Sequence, residues 1–243
     1  MNRAIVKGLA LGFVAAVLTS SAHAQFTTFA NFSQAGGGSK PFTFTNSGAS
    51  STFNLAVPQD INFFYQVIND YNGSSFATLI PAKMTLSATV GAVTDDLGGT
   101  LRQSLTSITM TYTADTPVNG KTNLLTIVAN AGGTPGRRGG FLIGTDGGST
   151  ASFTGSQNGA TGDSVTMTSD FLLFNNTTRR DYSLSLNALT PDFTLNVNGY
   201  LNNFTADATG TFATNPAPQA TIPEPATLAL LGLGGVVLRR RRR

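Results

Sequence analysis

Catalysis and metal binding need nucleophiles, acids, bases or ligands, and this chain offers few. Of 243 residues none is cysteine, none is tryptophan and one, His23, is histidine. That removes a thiolate nucleophile, a disulfide framework and every cysteine-based metal site. The carboxylates are eleven aspartates between Asp60 and Asp207 and one glutamate, Glu224. Two carboxylates facing one cleft would serve glycoside hydrolysis. Asp95 and Asp96 are adjacent, but neighbours on a strand point to opposite faces, and the following Gly98-Gly99 marks a turn. An Asp-based glycoside hydrolase is therefore the weakest class, and the expectation is no enzyme and no catalytic residue.

Other recognition chemistry is thin as well. Asp95, Asp96, Asp146, Asp163 and Asp207 sit among turn residues and could lend oxygens to a structural calcium, yet no EF-hand spacing is present. No other cofactor is expected. Sugar stacking would fall to Tyr65, Tyr71, Tyr112, Tyr182 and Tyr200, with Tyr71 beside Asn72-Gly73 the most exposed by expectation. The basic pairs Arg137-Arg138 and Arg179-Arg180 could meet an acidic polysaccharide, though solvated loops explain them too. Thr-x-Thr runs at Thr43/Thr45, Thr109/Thr111/Thr113 and Thr166/Thr168 could order water on a flat face, as an ice-binding protein does, but they follow no period along the chain.

The two ends carry the strongest signals. Arg3 and Lys7 precede an apolar run, Gly8 to Leu18, and Ala22-His23-Ala24 puts small residues where a signal peptidase reads. Residues 1–24 read as a secretory signal peptide with cleavage between Ala24 and Gln25. His23 would leave with it. At the other end, Asn215 to Thr221 is rich in Pro, Ala and Thr and reads as a linker. Pro223-Glu224-Pro225 follows, then the apolar run Ala226 to Leu238, then Arg239, Arg240, Arg241, Arg242 and Arg243. Thirteen helical residues span about 20 Å, short of a hydrocarbon core of roughly 30 Å, and snorkelling flanks can close part of the gap. The arginines would stay cytoplasmic, leaving the body outside.

This tail resembles the PEP-CTERM sorting signal of exported bacterial proteins, a segment also known as an ice-binding protein C-terminal domain, a label for the tail alone. The matching residues are Pro223, Glu224, Pro225, the run from Ala226 to Leu238 and the terminal arginines. The resemblance implies an exosortase partner that recognises the tripeptide and cuts near it. It also implies a Gram-negative host, transient anchoring in the inner membrane, and a link to exopolysaccharide, biofilm and the cell surface.

Charge and pattern describe what lies between. The middle carries eight basic residues against eleven aspartates, so the basic balance belongs to the ends and nucleic acid is not an expected partner. From residue 25 to 220 there are 32 Thr, 17 Ser and 18 Asn, a composition suited to strands and turns. Apolar residues alternate over Met84–Val90, Ile108–Ala114, Tyr182–Ala188 and Phe193–Val197. Phe63-Phe64-Tyr65 and Phe171-Leu172-Leu173-Phe174 are apolar on both faces and read as central strands. The expected fold is all-β: one antiparallel, jelly-roll-like β-sandwich over 25–214, with a signal helix before it, a linker at 215–221, and the sorting segment with a transmembrane-type helix at 222–243. The expected role is a structural or adhesive surface or matrix protein. The alternative is a carbohydrate-binding module.

Overall fold

The computed structural model describes residues 26–48, 51–55, 57–71, 74–130, 140–158 and 164–221. The signal and C-terminal helices expected from the sequence lie outside the described residues.

Threonine, serine and asparagine alternating with apolar residues favour half-buried strands, and the described chain is all-β. The strands are β1 (Thr27–Gln34), β2 (Phe42–Thr45), β3 (Ser51–Leu55), β4 (Gln59–Tyr65), β5 (Asp70–Tyr71), β6 (Ser74–Ser75), β7 (Ile80–Asp96), β8 (Thr100–Val118), β9 (Lys121–Asn130), β10 (Gly140–Thr145), β11 (Ala151–Asn158), β12 (Ser164–Thr168), β13 (Leu172–Leu173), β14 (Arg179–Thr190), β15 (Phe204–Asn215) and β16 (Gln219–Ala220). Twelve of them form one sheet, and β5–β6 and β13–β16 are separate small pairs. Every pairing is antiparallel.

The expected sandwich has two facing sheets, whereas the hydrogen bonding draws a single sheet that closes on itself through β1–β15 and β7–β8. The reason is strand length. At 17 and 19 residues, β7 and β8 are long enough to serve two neighbours on one edge. β7 receives β4 near its start and β3 further on. β8 receives β10 with residues 100–105 and β9 from Ser107 onward. Between them Thr106 is an extra residue, because Thr89 faces Ser107 while Val90 faces Leu105. This bulge shifts the buried set from Leu101, Gln103 and Leu105 to Ile108, Met110, Tyr112 and Ala114.

The core lies inside the closed sheet and is aromatic. One group joins Phe32, Phe63, Tyr112 and Phe212, with Tyr112 5.2 Å from both Phe32 and Phe212. A second joins Phe42, Phe44, Phe53, Phe153, Phe193 and Phe204, with Phe53 4.4 Å from Phe153. Each fully buried phenylalanine contributes roughly 1.5–3 kcal/mol, which accounts for a stable fold without disulfides.

Some expectations fall. Ala188 was expected on the buried face, but a register irregularity after Asn187 turns it outward at φ 53° and buries Leu189 instead. Phe193–Val197 is not a strand: two isolated bridges hold it, and Val197 is fully exposed. Phe171–Phe174 is not a central strand either, since only β13 forms there and Leu173 is 43% exposed.

Candidate functional site

The candidate site is the end of the closed sheet where the chain departs towards Pro223-Glu224-Pro225. The start of β1 lies beside the end of β15 there, with Thr27 facing Thr214. Residues 215–221, expected as a linker, make several contacts with the body. The Asn215 carbonyl accepts from the Thr178 N–H at 2.8 Å and from its hydroxyl at 3.0 Å. Pro218 is buried. β16 pairs with β13, with Ala220 facing Leu172 and Gln219 facing Leu173. The Thr221 N–H donates to the Phe171 carbonyl at 2.8 Å, and its hydroxyl donates to the Asp170 carbonyl at 3.0 Å.

The receiving segment is held by charges that the sequence did not single out for this task. The Asp170 carboxylate accepts from the N–H groups of Thr122 (3.1 Å) and Asn123 (2.8 Å) at the start of β9. Arg180, expected as half of a solvated basic pair, instead spreads its guanidinium over the body. It donates to Thr177 Oγ1 (2.9 Å), Gln157 Oε1 (3.0 Å), the Val165 carbonyl (3.3 Å) and the Phe174 carbonyl (2.9 Å). Burial lowers its pKa. The only advance signal was the pair of apolar segments on either side of it.

The remaining candidates disperse. Tyr65, Tyr112 and Tyr182 are buried, so they cannot stack on a sugar, and Tyr200 is half-buried. The side chain of Tyr71, and Arg137, Arg138 and Asp163, lie outside the described residues, as do Ala22, Ala24, Gln25, Pro223, Glu224, Pro225 and Arg239 to Arg243. Asp95 pairs with Arg102 at 2.9 Å, and that guanidinium lies 4.8 Å over the Phe141 ring. Asp96 closes the β7–β8 turn by accepting from Gly98 and Gly99. Asp207 accepts from the N–H groups of Gly38 (2.9 Å) and Lys40 (2.8 Å) and from Gln34 (3.1 Å), pinning the β1–β2 loop. Asp146 is an exposed turn residue. Among the described residues no three His, Cys, Asp or Glu side chains converge.

Two surfaces emerge only in three dimensions. The first gathers the Thr-x-Thr runs. Thr205, Thr43, Asn54, Ser87, Thr109, Val128 and Thr166 form one cross-strand row, and Thr45, Thr52, Thr89, Ser107, Asn130 and Ser164 form the next. The second is a trough of about 450 Å³ across β10, β11, β14 and β15. Phe141, Thr154, Ser183 and Thr211 make one row of it, and Ser156, Asp181 and Ala213 the next. Burial raises the Asp181 pKa, against the opposing effects of a Ser156 hydrogen bond and nearby Arg179.

Comparison with known proteins decides the tail. Residues 221–243 match the family model of the PEP-CTERM protein-sorting motif. The motif implies an exported protein sorted and processed by an exosortase, and it begins at Thr221, the last described residue, which is bonded to the body. No curated protein and no solved structure matches the chain, and the central domain has no family match.

Proposed function

We propose that this protein is a non-enzymatic component of the cell surface or extracellular matrix of a Gram-negative bacterium. In this reading a signal peptidase removes residues 1–24. The apolar run Ala226–Leu238 holds the chain in the inner membrane, and an exosortase processes it near Pro223-Glu224-Pro225. The released β domain then takes a structural or adhesive place in an exopolysaccharide matrix. The observation that carries this is the sorting motif following a body whose outward rows are, apart from Val128, threonine, serine and asparagine. Such a weakly charged hydroxyl surface offers hydrogen bonds in many directions and little charge repulsion against assembly. Ice binding is less favoured, because a closed, twisted sheet does not hold its rows in a plane.

The decisive test replaces Pro223, Glu224 and Pro225 with alanine in the native host. The variant should accumulate as full-length, membrane-bound protein while the wild type is shortened and released. Equal release of both would end the sorting reading.

The trough favours carbohydrate binding as the second reading. It places an aromatic ring, four hydroxyls and one carboxylate within two adjacent rows, a set that suits a polyol ring. Affinity electrophoresis through the host's exopolysaccharide should show retardation, and Asp181→Asn should weaken it about tenfold by removing a charged acceptor. Unretarded migration at every polymer concentration would leave the structural reading alone.

A further inference from the structure

In the β13–β16 ladder the backbone groups of Gln219 and the Thr221 N–H point towards the receiving segment, while those of Ala220 point away from it. β16 lies on β13, and Thr221 is tied to Phe171 and Asp170. Thr221 precedes Pro223 by two residues, so Ile222 alone separates the bonded backbone from the tripeptide. An enzyme that cuts a chain commonly holds it extended and pairs with its main chain as an added strand. Backbone groups engaged by β13 are not open to a second partner.

From this we propose that β13 is an intramolecular competitor for the strand leading into the sorting motif, so that β16 must lift from β13 before the motif is processed. The inference rests on the sorting reading and adds its regulation. The two halves of the clamp differ in a way that suits a latch. β13 is fixed from below: Phe171 is buried edge-on against Phe76 at 5.1 Å, Leu172 is buried, and Asp170 is held by β9. β16 is two residues long, and both are exposed. A short, exposed strand opens locally at far less than the cost of global unfolding, so the latch can lift while the closed sheet stays intact. Processing then tracks the open population of the latch rather than the stability of the body.

The chain contains no cysteine, which permits a clean lock. Leu173 and Gln219 face each other across the ladder, and both are exposed. Antiparallel partners lie at Cα separations of about 4.5–5.5 Å, within disulfide range. In the exporting host, the full chain carrying Leu173→Cys and Gln219→Cys should be processed about tenfold more slowly than wild type, in proportion to the lost open population. Reductant should restore the rate, and either single variant should behave as wild type. A flexible insert of about ten Gly and Ser residues between Thr221 and Ile222 should release the locked chain, because it supplies unpaired backbone before the motif. Wild-type processing of the oxidised double variant overturns the latch, as does a slowing that the insert leaves in place. The alanine variant of the tripeptide separates the two claims. If it is stable while the locked chain is cut normally, only the latch fails. If it is cut like wild type, the sorting reading fails and the latch with it.

Discussion

Arg180 is the residue whose role changed most between sequence and structure. A planar guanidinium with five N–H donors satisfies three carbonyls, an amide oxygen and a hydroxyl drawn from β11, β12 and the segment before β14. The value of this placement lies in the acceptors it covers. Arg180→Ala should cost about 2–3 kcal/mol, because the Phe174 and Val165 carbonyls lose a charged donor inside the fold. Lysine, with a compact ammonium, should recover less than half of that. Urea midpoints of the three proteins at one pH decide it; indistinguishable midpoints would show that water replaces the guanidinium.

Among the elements, single aspartates hold loops in place. The segment between β1 and β2 is rich in glycine and would be costly to order, yet Asp207 on β15 collects two of its N–H groups and Gln34. Asp207→Ala should leave the closed sheet intact while opening residues 35–41 to proteases. The thermal midpoint should fall by no more than a few degrees, and cleavage in that loop should quicken about tenfold. A loop as resistant as in the wild type would mean that its other contacts suffice. Close packing of elements also explains two glycines. A Cβ at Gly210 would sit 2.3 Å from the Phe32 ring, and one at Gly140 2.2 Å from the Thr154 carbonyl.

For the molecule as a whole, closure is the governing feature. A ring of strands has few open edges, which protects a weakly charged chain from edge-to-edge association. It also seals Tyr65 and Tyr112 inside, where burial pushes both phenols well above their usual range. A phenol with a raised folded pKa contributes stability that is complete below its unfolded value of about 10 and is lost as pH rises from there. The fold should therefore hold a flat stability through neutral pH and weaken in alkali. Phenolate absorbance from these two tyrosines should grow only together with loss of the near-ultraviolet dichroism of the packed core. Ionisation in advance of unfolding would mean that the closed sheet admits water.

The sequence by itself determined whatever depends on local chemistry. Alternation over Met84–Val90 and Ile108–Ala114 is a property of neighbouring residues, and those positions are buried as read. The sorting motif was legible for the same reason, being a contiguous run with a fixed order of parts. Tertiary structure alone decided what depends on which strands become neighbours. Closure of the sheet follows from β7 and β8 each serving two partners on one edge, and nothing in their own residues counts partners. The same holds for the gathering of three Thr-x-Thr runs into shared rows, for Arg180 reaching across β11 and β12, and for the capture of residues 215–221. Those residues are polar and proline-rich, which reads locally as a spacer. They are gripped because β13 presents backbone donors and acceptors that folding places beside them, and a hydrogen bond between Thr221 and Phe171, fifty residues apart, has no local signature.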